Sequence, residues 1–171
     1  MAVFEYDDPD LGLDWWILRN GWSCLLRQPE VLEQCVAWFE RAGYPVVEFD
    51  CRRWSDEEAM HVELAAKLSF PSYYGCNLNA LNDCLKSKKL DEPGLVLAFR
   101  NYEAMPADIY PLPYELLDVL ADCSRMHLIY GRRLLALVQI SNEDTYFERV
   151  GGGVVMWLGL SGELPEHWRV S

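Results

Sequence analysis

Catalysis needs titratable or nucleophilic side chains at defined spacings, and the chain's three histidines and six cysteines are the first places to look. His61, His127 and His167 are scattered, with no HExxH pair and no Cys/His cluster at zinc spacing. No metal site and no cofactor are therefore expected. Cys24, Cys35, Cys51, Cys76, Cys84 and Cys123 form no CxxC pair and sit singly inside apolar patterns. They read as buried free thiols in a reducing compartment. The run Asp56-Glu57-Glu58 could supply paired carboxylates, but acidic residues are ordinary in the first turn of a helix, where the dipole favours them. GxSxG, GxGxxG and GxxxxGK[ST] are all missing, and Gly151-Gly152-Gly153 lacks the Lys-Ser/Thr of a phosphate loop and reads as a flexible turn. Nothing identifies a nucleophile or a base, so the chain is not expected to be an enzyme. A pocket holding paired titratable groups would revive that reading.

A binding face is easier to read. In Tyr73-Tyr74-Gly75-Cys76-Asn77-Leu78-Asn79-Ala80-Leu81-Asn82-Asp83-Cys84-Leu85, an aromatic turn feeds a helix expected over about 77–87. On a 3.6-residue period Leu78, Leu81, Cys84 and Leu85 form an apolar stripe, and Asn79, Asn82, Asp83 and Lys86 form a polar one. Asn77 suits the N-cap, because its side chain can accept a first-turn N–H. Gly75 permits close backbone approach or positive φ just before the helix. Of Tyr73 and Tyr74, one is expected to pack inward while the other faces a partner. The competing reading is an ordinary surface helix with a solvated face.

Composition narrows the partner. A formal net charge of −12, from 27 acidic and 15 basic residues, disfavours a nucleic-acid binder, whose affinity depends on neutralising phosphates. The same charge would speed encounter with a basic protein. The acidic N-terminus lacks the basic start and apolar run of a secretory signal, and no apolar run is long enough for a bilayer. A cytoplasmic location with no membrane partner is expected. With 171 residues, 51% of them hydrophobic, one domain over 1–171 with a real core is expected.

Several elements must position the face. Residues 1–14 read as a loose acidic lead-in, and Trp15-Trp16-Ile17-Leu18 as a strand. Asn20-Gly21 suggests a hairpin into Trp22-Ser23-Cys24-Leu25-Leu26. Pro29 opens a helix carrying Leu32, Cys35, Val36 and Phe39, which Gly43 ends. Strands follow at 46–50, 95–99 and 134–140. Helices are expected at 56–68, with a Ser55/Glu58 capping box, and at 113–126, with a short helix or turn at 101–110. Val154 to Leu158 reads as an edge or hairpin strand. Strands alternating with helices from 45 to 140 argue an α/β layer with parallel pairs.

The segment Tyr73 to Leu85 resembles the hallmark of the barstar family, Tyr-Tyr-Gly-x-Asn-Leu-Asp-Ala-Leu-Trp-Asp-x-Leu, and the element order matches more loosely over 45–140. The resemblance implies a three-stranded parallel sheet flanked by helices. Residues 1–44 then form an added N-terminal hairpin and helix, and 141–171 an added C-terminal strand. It also implies an intracellular ribonuclease inhibitor, an immunity protein against a toxin, that plugs the active site of a basic extracellular-type ribonuclease or toxin nuclease. Carried over, the contact residues are Tyr73, Gly75, Asn77, Leu78, Asn79, Ala80, Asn82 and Asp83, with Asp83 as the acidic anchor and Asp122 as a further contact on a later helix. Asn79 stands where the family pattern has Asp, and Asn82 where it often has Trp, so the resemblance implies a changed target. The alternative is a protein-interaction module on the same scaffold that no longer inhibits a ribonuclease.

Overall fold

The computed structural model describes residues 12–106, 111–142, 145, 147 and 149–169. Five parallel strands form one sheet: β1 (Ser23–Leu26), β2 (Val46–Asp50), β3 (Gly94–Arg100), β4 (Arg133–Gln139) and β5 (Met156–Leu158). Their order across the sheet is β2-β3-β4-β1-β5. The central strands are almost wholly buried because both faces are covered, and for that reason they read as continuous apolar runs. Alternation divides them. Leu95, Leu97 and Phe99 with Leu134, Ala136 and Val138 face one core, while Val96, Ala98, Leu135 and Leu137 face the other.

The second of these cores is roofed by α1 (Leu13–Asn20) and α2 (Pro29–Arg41), through Leu13, Ile17, Val31, Leu32, Cys35 and Phe39. The first is roofed by α3 (Glu57–Leu68), α4 (Leu78–Ser87) and α5 (Leu112–Ile129). Its centre is aromatic: Phe49 stacks on Phe99 at 5.3 Å, and Trp54 meets Phe99 edge-on at 6.1 Å.

The N-terminal hairpin does not form. Trp15 to Leu18 lie in α1, whose Leu13 and Ile17, four residues apart, are both fully buried. Asn20-Gly21 ends that helix, with the Asn20 amide donating to Trp16 O at 2.7 Å and Gly21 at φ +143°. β1 then runs parallel to β4, so the sheet is five-stranded with no hairpin among the described strands. Residues 12–14 are not a loose lead-in either: the Asp14 carboxylate is buried, accepts from the Tyr44 hydroxyl at 2.6 Å, and pairs with Arg133 at 2.6 Å. Residues 1–11 lie outside those described.

Smaller differences have local causes. The cap of α3 is Asp56, whose side chain accepts from Ala59 N at 2.8 Å, rather than Ser55. A 3-10 turn, Tyr102–Ala104, represents the short helix expected over 101–110, of which 107–110 lie outside the described residues. The C-terminal strand is the sheet edge β5, parallel to β1. The triple glycine makes a tight turn in which Val150 and Gly153 exchange backbone hydrogen bonds, with Gly151 and Gly152 at positive φ. Glu92-Pro93 is a cis peptide. Among the described residues no helix is long and apolar enough to cross a membrane.

Candidate functional site

Helix α4 is set by its own sequence. The Asn77 side-chain oxygen Oδ1 accepts from Ala80 N at 2.9 Å, and the side-chain amide Nδ2 donates to Gly75 O at 3.0 Å, so both ends of the side chain fasten the turn to the helix. The left-handed residue is Cys76, at φ +47°, not Gly75. Gly75 sits in a tight place instead: a Cβ there would lie 3.2 Å from the Asn77 side-chain nitrogen. Leu81 and Leu85 are buried, Leu78 and Ala80 are half-buried, and Asn79 and Asp83 point to solvent.

The two tyrosines part as expected. Tyr73 is 84% exposed. Tyr74 turns inward, where its ring packs edge-on to His61 at 5.7 Å and against Phe70 at 5.0 Å. His61 is fully buried on α3, with Nδ1 2.6 Å from the Tyr74 hydroxyl and Nε2 3.4 Å from Glu57 Oε1. His61 Nδ1 and the Tyr74 hydroxyl share one hydrogen bond, while Nε2 faces the Glu57 carboxylate without hydrogen-bonding it. Burial lowers the His61 pKa, against the smaller opposing pull of Glu57, and burial raises that of Tyr74. A neutral histidine thus pins the aromatic turn from beneath, leaving Tyr73 outside.

Tyr73 and Asp83 line one shallow groove of about 390 Å³, together with Ser69, Phe70, Cys84 and Lys88. Among the described residues no side chain or backbone group hydrogen-bonds or ion-pairs with the Asp83 carboxylate. Asn82 and Lys86 instead lean toward α5. The Cys123 thiol donates weakly to the Asn82 side-chain and backbone oxygens, 3.7 Å from each. The Lys86 ammonium donates to Asp122 Oδ2 at 2.7 Å, and Arg125 approaches Asp122 Oδ1 at 3.5 Å. The hydrogen bond from Lys86 holds the Asp122 carboxyl below the usual carboxylate range, and the same bond raises the Lys86 pKa.

The structure therefore brings Tyr73, Asn79 and Asp83 together as an outward face. Exposed Gly75 and Asn77 form the turn into the helix, half-buried Leu78 anchors it, and Asp122 stands across the α4–α5 seam with its charge already matched. Sequence reasoning missed His61 and Arg125 as contributors. The period of Met60, His61, Leu64 and Leu68 on α3 signals that His61 is buried; nothing local signals Arg125, which reaches the face only through helix packing. All six cysteines are free; Cys24, Cys35, Cys51 and Cys123 are buried, whereas Cys76 is exposed on the turn and Cys84 is half-exposed.

Comparison with known proteins fits this geometry. The family profile described as Barstar (barnase inhibitor) matches residues 44–139, the stretch from just after α2 to the end of β4. A Bacillus subtilis (strain 168) protein named "Putative ribonuclease inhibitor YrdF" is 37% identical over 73 residues, covering 43% of this chain and 78% of that protein. A match over more than half the chain, centred on the elements that build the Tyr73–Asp83 face, makes this chain a member of the barstar family.

Proposed function

We propose that the chain inhibits a ribonuclease by laying the Tyr73 turn and the outward face of α4 over the enzyme's active site. The observation that carries this reading is Asp83: a solvent-facing carboxylate with no hydrogen-bond or ion-pair partner among the described residues, sharing a groove with an exposed tyrosine. A ribonuclease active site gathers cations to bind the phosphate of RNA, and a carboxylate delivered there can take the phosphate's place. The inhibitor performs no chemistry; it occludes the site and neutralises it. The partner is a basic, extracellular-type ribonuclease or toxin nuclease, and the role is that of an immunity protein acting in the cytoplasm.

The test is inhibition of RNA cleavage by a cognate nuclease, with barnase as a second target. Asp83→Ala should weaken inhibition by at least about 2 kcal/mol, roughly 30-fold, because it leaves a buried cation of the enzyme without its counter-charge. Unchanged inhibition would remove Asp83 from the site.

One observation favours a second reading, a protein-interaction module that blocks no ribonuclease. Neutral Asn79 and Asn82 stand where the family pattern has Asp and often Trp, and the side-chain oxygen of Asn82 already receives the Cys123 thiol. Under that reading no ribonuclease loses activity at micromolar inhibitor.

A further inference from the structure

Four charged side chains at the α4–α5 seam, Asp83, Asp122, Lys86 and Arg125, cancel among themselves, although the whole chain carries −12. Asp83 and Asp122 contribute two negative charges there, and Lys86 and Arg125 two positive ones. Lys86 lies three residues after Asp83 on the same helix, where a Lys–carboxylate contact is within reach. Its ammonium goes across the seam to Asp122 instead. One carboxylate is therefore left open, and the other is closed by two cations.

The closing pair is held in place. The Asp122 side chain is 55% exposed and could meet a partner, whereas Lys86 is 26% exposed and bridges α4 to α5. The Arg125 guanidinium lies 5.1 Å over the Trp22 ring, beyond the matched stretch on the N-terminal side. On the C-terminal side, the Gly151 turn packs against Arg125, and Gly151 N donates to Asp118 at 2.6 Å. Both segments outside the family match thus steady the arginine that faces Asp122.

Resting on the inhibitory reading of this face, we infer that Lys86 is a specificity determinant: by closing Asp122 it admits a ribonuclease that offers a cation opposite Asp83, and it disfavours one that also needs a counter-charge at Asp122. A partner cation arriving at Asp122 meets two resident cations and must displace one or bear the repulsion. Like-charge juxtaposition of this kind is how related interfaces reject wrong partners.

The experiment uses the full chain and barnase as the basic ribonuclease probe, with inhibition constants read from RNA cleavage. Four proteins are compared: wild type, Lys86→Ala, Asp122→Ala and the double variant. Lys86→Ala should tighten inhibition about tenfold, and Asp122→Ala alone should change it less than twofold. In the Lys86→Ala background, Asp122→Ala should remove the gain. Arg53→Ala, which removes a positive charge from an exposed residue after β2, controls for net charge and should shift inhibition less than twofold. Asp122→Ala weakening the wild type as much as it weakens Lys86→Ala would overturn the inference. So would Lys86→Ala leaving inhibition unchanged. Asp83→Ala separates the two levels: if it abolishes inhibition, the face stands and Lys86 is judged alone. If none of the proteins inhibits barnase or the cognate nuclease, the inhibitory reading falls, and the role of Lys86 with it.

Discussion

Replacing Asp14 with alanine should cost the fold about 3 kcal/mol, although the residue lies outside the family match. Its carboxylate accepts from the Tyr44 hydroxyl at 2.6 Å and from Trp15 N at 2.8 Å, and pairs with Arg133 at 2.6 Å. Arg133 Nη1 also donates to the Tyr44 oxygen at 2.8 Å, which closes a triangle. Removing one partner of a fully buried pair costs about 3–5 kcal/mol. Arg133 is 19% exposed and water can recover part of its solvation, which brings the ion-pair share to about 2 kcal/mol. The buried Tyr44 hydroxyl, losing its acceptor, adds about 1 kcal/mol. By contrast the exposed pair of Arg100 with Glu48, at 2.6 Å, should contribute no more than about 1 kcal/mol despite equal length. Urea unfolding followed by tryptophan fluorescence gives the measurement. With a slope of roughly 2 kcal/mol per molar, Asp14→Ala should lower the midpoint by about 1.5 M and Glu48→Ala by less than about 0.5 M. Equal shifts would refute the reasoning, because α1 would then be only loosely attached to the domain.

Three further perturbations follow from the same physics. His61 is held neutral, so the unfolded chain binds a proton that the native chain refuses between the lowered native pKa and about 6.5. Stability should be complete above that value and fall as pH drops through the native pKa; a His61→Phe variant with the same acid slope would reject the assignment. At the other end, burial pushes the Cys35 and Cys123 thiols up to about 12, while unfolded thiols ionise near about 8.5. Here the unfolded chain loses protons that the native chain keeps, so stability should decline as pH rises above about 8.5, and Cys35→Ala with Cys123→Ala should flatten the decline. Gly94→Ala should destabilise by more than about 2 kcal/mol, since φ is +154° and a Cβ would collide with the Arg133 backbone where β3 meets β4; a melting temperature within a degree of wild type would contradict this.

How far the sequence could be read depended on how far apart the deciding partners lie. β2, α3, α4, β3, α5 and β4 were legible because each carries its own period or apolar run between breakers. The misreading at the N-terminus is local in cause: Asn-Gly serves both a hairpin and a helix end, and only the burial of Leu13 and Ile17 distinguishes them. β1 offers four buried residues whose partner strand begins 110 residues later, so no local signal gives its direction. At the site, the outward position of Asn79 and Asp83 followed from the helical period. The lean of Asn82 and Lys86 toward α5 did not, because it depends on how two helices pack.

Charge therefore acts at two ranges in this molecule, and the two need not agree. The net charge of −12 draws in any basic partner over distances of about a Debye length, roughly 8 Å at physiological salt. Part of that field originates beside the face: Asp56 caps α3, and Glu57, on the first turn, lies 3.4 Å from the histidine that anchors the Tyr74 ring. These exposed rim carboxylates can hasten encounter, yet they add little once water is excluded. At contact the balance changes, because Lys86 and Arg125 close Asp122 while Asp83 is left open. On the proposed inhibitory reading, approach is permissive and docking is selective. That division would account for a strongly acidic protein keeping Lys86 and Arg125 beside Asp83: they give up some attraction in order to discriminate among the basic partners that the rest of the chain brings near.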